Sequence, residues 1–276
     1  LDSMMQVKQA QFDSIKGNFV FENVDFNITM NSAAGAFTGG RSSETNGFRS
    51  ANYSFNNCTV NLTQTVNSSS VPVFSYNAGA KTGSIKITNS YFKFSGPLVS
   101  NFNSTVANAF VVENSVLIQE LSPAQFKNGS TDGRKTNFLY GTPNGGFNFK
   151  NSHIEYAFRF LSANSTVNLV NSKLVFTAQP WDLTGGDNMI ARYGTVNFDK
   201  DSELVASSYF NITMNTTDAK LVFAEGARVH HATKFKAANC IFPDGSTANT
   251  STTYKFMYDP VGDNDSPYVV VKADVA

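Results

Sequence analysis

A ten-residue pattern of apolar and polar positions recurs along the chain. Its order is apolar, any, apolar, any, Asn, small, any, apolar, any, apolar, and this alternation is typical of strands with one buried face. Full copies occupy residues 19–28, 53–62, 85–94, 110–119, 147–156 and 167–176, a shorter copy occupies 235–242, and weaker copies occupy 196–206 and 221–229. The motif is constant but its spacing varies, which predicts a fixed pair of strands and connections of different lengths.

The central Asn of each copy marks a bend between two strands. In the first copy Phe19, Phe21 and Asn23 share one face of a strand. After Asn23 the parity changes, and the next apolar positions include Phe26 and Ile28. Because Asn adopts the left-handed backbone conformation more readily than most residues, a sharp bend there lets both strands point apolar side chains into one interior.

The pattern further predicts a row of stacked asparagine side chains. We expect these side chains to face inward and to hydrogen bond from one repeat to the next, because buried amides need partners. The residue after each Asn is small in most copies, as a crowded inner corner requires. The predicted row consists of Asn23, Asn57, Asn89, Asn114, Asn151, Asn171 and Asn239.

Composition narrows the fold and function classes. The chain has 31 Asn, 29 Ser, 24 Thr and 25 Phe, and this excess of strand and turn formers over helix formers predicts an all-β fold. Zero formal net charge argues against a nucleic-acid surface, and no apolar run reaches the roughly 18 residues that span a bilayer. Cys58 and Cys240 are interpreted as buried free thiols, with a disulfide or metal site as the alternative.

Over residues 19–242 the repeat, with its Asn bend and small following residue, resembles the right-handed parallel β-helix of the pectin-lyase-like superfamily, which includes secreted polysaccharide-acting and surface proteins. The resemblance implies an all-β, single-stranded right-handed parallel β-helix of about eight or nine coils, with an asparagine ladder and capped ends. We expect an N-terminal cap over 1–18, the β-helix over 19–252 and a C-terminal cap or terminal strand over 253–276. Coils of this family contain three strands, and the implied extra strands lie at 71–76, 137–140, 157–161 and 189–193.

The resemblance also implies that a ligand lies along these extra strands, between loops at 63–70, 95–105, 119–135 and 177–188. Arg pairs with carboxylate or sulfate, and Trp stacks on sugar rings. The candidate ligand-binding residues are Arg134, Arg159, Arg192, Trp181, Asp132 and Asp187. Arg159 points outward if Phe158 and Phe160 point inward. The alternative interpretation is scattered surface charge.

Catalytic signatures of the family are mostly missing. The Asn-Thr-Asp, Gly-His-Gly and Arg-Ile-Lys motifs of its polygalacturonase-type members do not occur, and single Asp residues are too few for the calcium cluster of its lyase-type members. His230 and His231 are neighbours on a strand, so they face opposite ways and predict no metal site. We expect no cofactor, and calcium only if the chain is a lyase.

These observations favour a secreted or cell-surface β-helix module, extracellular after removal of a signal peptide, that binds glycan or acts in an adhesin-like way without catalysis. One alternative is a polysaccharide lyase or other carbohydrate-active enzyme on acidic polysaccharide, in which Arg134, Arg159 or Arg192 acts with Asp132 or Asp187. Another is a structural spacer of a larger surface protein. The expected partner is a polysaccharide or surface glycan, and we expect a monomer with no nucleic-acid partner and no membrane span.

Overall fold

The described part of the chain is built almost entirely of strands. A computed structural model describes residues 17–30, 35–38, 51–64, 72–76, 82–121, 137–157, 159–177, 189–205, 218–230, 237–259 and 267–273. Within these ranges the strands are numbered β1 to β25 in chain order, and a 3-10 helix covers Ala237–Asn239. The all-β prediction is therefore confirmed for this part of the chain.

The described strands form three sheets. The first sheet contains, in spatial order, β1 (Asn18–Glu22), β4 (Asn52–Asn56), β7 (Ser84–Thr88), β10 (Phe110–Glu113), β13 (Phe147–Lys150), β16 (Thr166–Val170), β19 (Gly194–Phe198), β21 (Ala219–Phe223) and β23 (Cys240–Ile241). The second contains β2 (Asp25–Met30), β5 (Thr59–Gln64), β8 (Tyr91–Phe94), β11 (Val116–Gln119), β14 (His153–Tyr156), β17 (Lys173–Phe176), β20 (Glu203–Val205), β22 (Arg228–His230), β25 (Pro267–Lys272) and β24 (Tyr254–Tyr258). The third contains β3 (Phe37–Thr38), β6 (Phe74–Ser75), β9 (Val99–Ser100), β12 (Asn137–Leu139), β15 (Arg159–Leu161) and β18 (Met189–Ala191).

The chain visits the three sheets in turn, and one such passage is called a coil below. Up to β20 each sheet takes every third strand, and each strand pairs in parallel with its counterpart in the neighbouring coil. This order is consistent with a parallel β-helix. The strands expected at 71–76, 137–140, 157–161 and 189–193 are present as β6, β12, β15 and β18. The sequence did not predict β3, and it assigned β9 to a loop; both strands are two residues long.

The C-terminal end differs from the repeating coils. Strand β25 pairs antiparallel with β22, and β24 pairs antiparallel with β25. Phe256 of β24 packs its ring against Phe223 and Phe242, with ring centroids 5.7 and 5.2 Å apart. The last coil is therefore covered by a hairpin. The N-terminal cap was expected over residues 1–18; residues 1–16 lie outside the described residues, and Asn18 already begins β1.

Aromatic side chains from successive coils fill the interior between the sheets. Phe55, Phe92, Phe110 and Phe149 are essentially fully buried, and neighbouring rings such as Phe110 and Phe149 lie with centroids 5.6 Å apart. Cys58 and Cys240 are buried free thiols, as predicted. No helix in the described ranges is long and apolar enough to cross a membrane.

The Asn bends have the predicted backbone conformation but not the predicted orientation. Six bend asparagines have φ angles between 45° and 57°, in the left-handed region. These residues are Asn23, Asn57, Asn89, Asn114, Asn151 and Asn171. The expectation that they face inward was wrong, since all six are exposed. Each forms the outer side of its corner, and from Asn57 onward the small residue that follows is buried on the inner side.

Amide hydrogen bonds nevertheless join most of these bends. The Nδ2 groups of Asn171, Asn151 and Asn114 each donate to the Oδ1 of the preceding bend asparagine, at 2.9, 3.0 and 3.2 Å. A separate pair joins Asn57 to Asn23 at 2.6 Å. Asn89 donates to Asn56 instead, which interrupts the row.

Asn239 does not belong to this row, which corrects the seventh predicted position. It ends the 3-10 helix, is buried, and donates from Nδ2 to the carbonyl oxygen of Ala219 at 2.6 Å. The short copy at 235–242 resembles the motif in sequence. Its Asn239, however, does not have the left-handed backbone conformation of the bend asparagines.

A second row of hydrogen bonds runs along the inside of the bends. From Asn57 onward, the backbone N–H of the residue after each bend Asn donates to a serine hydroxyl in the next coil. The bonds run from Cys58 to Ser90, Ser90 to Ser115, Ser115 to Ser152, Ser152 to Ser172 and Ser172 to Ser202, at 3.0 to 3.3 Å. These serines are at most 5% exposed. The inner row, rather than the Asn row, therefore provides hydrogen-bond partners for the buried N–H groups of the corner.

Substituting Ser115 by Ala should lower the free energy of unfolding by about 1–2 kcal/mol, because a buried donor then loses its acceptor. The Ser115 hydroxyl accepts from the Ser90 N–H at 3.0 Å and donates to the Glu113 carbonyl at 2.7 Å. Urea denaturation measures the change. Ser54→Ala, on the outer face of β4, is the matched control and should change stability by less than about 0.5 kcal/mol. Equal effects of the two variants would contradict the inner row.

Candidate functional site

A groove of mixed polar and apolar lining lies where β5, β8 and β11 of the second sheet end. It has a volume of about 310 Å³ and is lined by Asn61, Leu62, Thr63, Lys93, Phe94, Ser95 and Glu120. Three of these, Thr63, Ser95 and Glu120, fall within the segments 63–70, 95–105 and 119–135 that the sequence predicted to flank a ligand. The groove is thus formed at the bases of three of the four predicted loops. Its size is at the lower end of that of small-molecule sites.

Parallel register brings the polar lining together. Asn61 pairs with Lys93 across β5 and β8, and Lys93 pairs with Ile118 of β11. Continuing this register by two residues places Thr63, Ser95 and Glu120 side by side. Side chains alternate along strands, so polar groups point into the groove while Leu62 and Phe94, both at most 4% exposed, point mainly into the core.

Backbone and amide contacts fix the end of β11, from which Glu120 projects. The Glu120 N–H donates to the Phe94 carbonyl at 2.8 Å. Gln119 was predicted to begin a loop, but it is the last residue of β11 and is 2% exposed. Its Nε2 donates to the Gly96 carbonyl at 2.7 Å, and its Oε1 accepts from the Ala157 N–H at 3.1 Å. The groove therefore has a rigid support.

The charged groups of the groove are paired with each other. Lys93 Nζ lies 2.8 Å from Glu120 Oε2, and the two side chains are 44% and 61% exposed. The hydrogen bond to Glu120 raises the pKa of Lys93 above its ordinary value. Asn61 donates from Nδ2 to Asn27 Oδ1 at 3.1 Å, which fixes the orientation of its amide. The groove thus presents both hydrogen-bond donors and acceptors while remaining close to neutral.

Arg159 does not present its guanidinium to solvent. The side chain is 1% exposed, and Nη1 donates to Oδ1 of Asn137 on the neighbouring strand at 3.3 Å. The solvent-accessible position expected for the Arg159 guanidinium is therefore wrong. The alternation of side chains along a strand indicates on which face a side chain lies, but not which other residues cover that face.

Arg192 is partly buried, and its guanidinium carbon lies 5.3 Å from the ring centre of Tyr193. Leu161 pairs with Ala191, so Arg192 lies level with Ser162. This places it three residues beyond Arg159, or about 10 Å along the strand direction. Neither arginine lines the groove. The other candidates, Arg134, Trp181, Asp132 and Asp187, lie outside the described residues.

No family model matches the chain, and neither a curated protein nor a solved structure matches it.

A second charged cluster lies on the outer face of the second sheet. Glu203 contacts Lys173 Nζ at 3.1 Å and makes a close contact through Oε1 with His230 Nε2. The hydrogen bond with His230 lowers the pKa of Glu203 to about 2, and Lys173 adds to the effect. His153 pairs with Glu155 at 2.8 Å. Within the described residues no three His, Cys, Asp or Glu side chains are arranged to hold a metal ion.

Sequence reasoning did not single out the residues that line the groove. Asn61 and Lys93 occupy the ninth position of two motif copies, and Thr63, Ser95 and Glu120 occupy the position just after the motif. In the six full copies the ninth position is polar in four, and the position after the motif is polar in five.

Proposed function

We propose that this chain is a right-handed parallel β-helix of the pectin-lyase-like type. Support comes from three parallel sheets that are visited in turn and from left-handed Asn bends between the first two sheets. The handedness follows from a general rule, since crossovers between parallel strands of one sheet are right-handed in nearly all proteins.

We further propose that it is a secreted or cell-surface module that binds glycan without catalysis, in an adhesin-like way. The groove carries this proposal. It combines an amide, hydroxyls, an ammonium group and a carboxylate on stacked strands whose register holds them in place. Sugar hydroxyls both donate and accept hydrogen bonds, so such a mixed lining suits them.

Two observations disfavour the polysaccharide lyase alternative. Arg159, one of its proposed basic residues, is buried against Asn137. Lys93, the cation in the groove, has a raised pKa and so retains its proton at neutral pH, whereas a general base must be deprotonated to accept one. A structural spacer would need no ligand in the groove. Measuring glycan binding therefore distinguishes the spacer from the proposed glycan-binding module.

Affinity electrophoresis through gels that contain single polysaccharides, with and without calcium, tests the proposed function. We expect wild-type protein to be retarded in at least one gel without a cleared zone. Lys93→Met should reduce that retardation, because it removes a donor from the groove. The control Lys86→Met alters an exposed lysine on the first sheet and should leave retardation unchanged. A cleared zone would support the lyase, and unchanged mobility in every gel would support the spacer.

A further inference from the structure

We infer that the groove selects uncharged glycans, whose hydroxyl groups bridge Lys93 and Glu120. This inference rests on the proposed glycan-binding function and names the class of ligand. It differs from the sequence-based expectation of acidic sugars bound by arginines.

Charge balance in the groove is the first argument. Among the described residues that line it, Lys93 is the one cation and Glu120 the one anion. They lie 2.8 Å apart, so their charges cancel locally. A sugar carboxylate that approached Lys93 would meet Glu120 at nearly the same distance, and like charges at such separations repel. A protonated amino sugar would meet Lys93 in the same way.

Hydrogen-bonding capacity is the second argument. An ammonium group has three donors, and a carboxylate has about four acceptor sites. The contact between Lys93 Nζ and Glu120 Oε2 uses one of each. One hydroxyl of a vicinal pair can accept from Lys93 while the other donates to Glu120, and the ion pair stays intact. A charged sugar would have to break that pair to gain comparable contacts.

The apolar residues that line the groove, Leu62 and Phe94, supply little additional selectivity. Phe94 is 1% exposed, so its ring face is not open for stacking. Binding should therefore depend on hydrogen bonds from hydroxyls. Because the ligand is uncharged, its affinity should persist at 0.5 M NaCl, whereas binding through net charge would weaken with salt.

The test compares gels containing neutral polysaccharides (dextran, mannan, galactan) with gels containing polygalacturonate, alginate or chitosan. We expect wild-type protein to be retarded by a neutral polysaccharide only. Glu120→Gln leaves Lys93 without its counter-charge, so it should weaken neutral binding about tenfold and create retardation by polygalacturonate or alginate. Glu113→Gln, on β10 of the first sheet, is the matched control and should behave as wild type.

The outcomes separate this inference from the proposed function. Retardation of wild type by an acidic or cationic polysaccharide alone would overturn the inference and leave glycan binding standing. Retardation in no gel would overturn both. Equal behaviour of Glu120→Gln and Glu113→Gln in a neutral gel that retards wild type would place the binding site elsewhere and overturn the inference. Thermal unfolding of both variants should match wild type, because Glu120 is 61% exposed.

Discussion

Replacing Gly194 by Ala should lower the free energy of unfolding by about 3–5 kcal/mol. Ala is strained in the left-handed conformation, and its Cβ would also clash with neighbouring backbone. Gly194 begins β19 with φ of 83°. A Cβ there would lie 2.2 Å from the Ser165 carbonyl oxygen and 2.9 Å from that of Ala163 in the preceding coil. The same Ser165 oxygen accepts the Thr195 N–H at 2.9 Å, so the two coils cannot separate without losing that contact.

Gly245→Ala provides the matched control for Gly194→Ala. Gly245 has φ of 80°, but nothing lies within 4 Å of a Cβ built on it. Its substitution should therefore cost only the backbone strain, about 1–2 kcal/mol. Urea denaturation of the two variants beside wild type measures both costs. Equal losses would show that the close stacking of coils at Ser165 does not constrain this corner.

The charge on Glu203 should stabilise the fold by about 2–3 kcal/mol above pH 4.5, and this contribution should disappear as the pH falls toward 2. The pKa of Glu203 is lowered from 4.5 to about 2, first by the hydrogen bond with His230 and then by Lys173. A carboxyl whose folded pKa is lower than its unfolded pKa binds protons more readily when unfolded. Acid therefore favours unfolding over this pH window.

Glu203→Gln tests this linkage. At pH 7 the variant should be about 2–3 kcal/mol less stable than wild type. This difference in the free energy of unfolding should shrink as the pH is lowered from 5 to 2.5. Glu225→Gln is the control, because the Glu225 side chain is 52% exposed and lies 3.9 Å from Lys272, so it should change stability little at any pH. A gap for Glu203→Gln that stays constant with pH would contradict the linkage.

The groove shows how near the sequence came to a candidate site. Two of the predicted loops begin at Thr63 and Ser95, and a third, 119–135, contains Glu120; all three residues line the groove. Of the candidate arginines within the described residues, Arg159 is buried and Arg192 does not line the groove. Charge in a sequence indicates what a side chain could bind, but accessibility depends on what packs over it.

The repeat by itself determined the strands of the first two sheets, apart from β24 and β25, and the left-handed bends between them. Alternation of apolar residues, as in Phe147 and Phe149 of β13, specifies one buried face because side chains alternate along a strand. Asn at each bend specifies the backbone conformation because few other residues tolerate positive φ. Both are local properties, so one copy of the motif suffices to predict them.

Only the tertiary structure decided which bend residue faces inward and which polar groups meet. The corner is lined by serines such as Ser115, and not by the neighbouring Asn114, because the serine hydroxyl fits inside the turn and bonds the next coil. Lys93 and Glu120 are far enough apart in sequence that only the register of β8 against β11 makes them partners. Stacking of coils creates these contacts, and a single repeat does not contain that information.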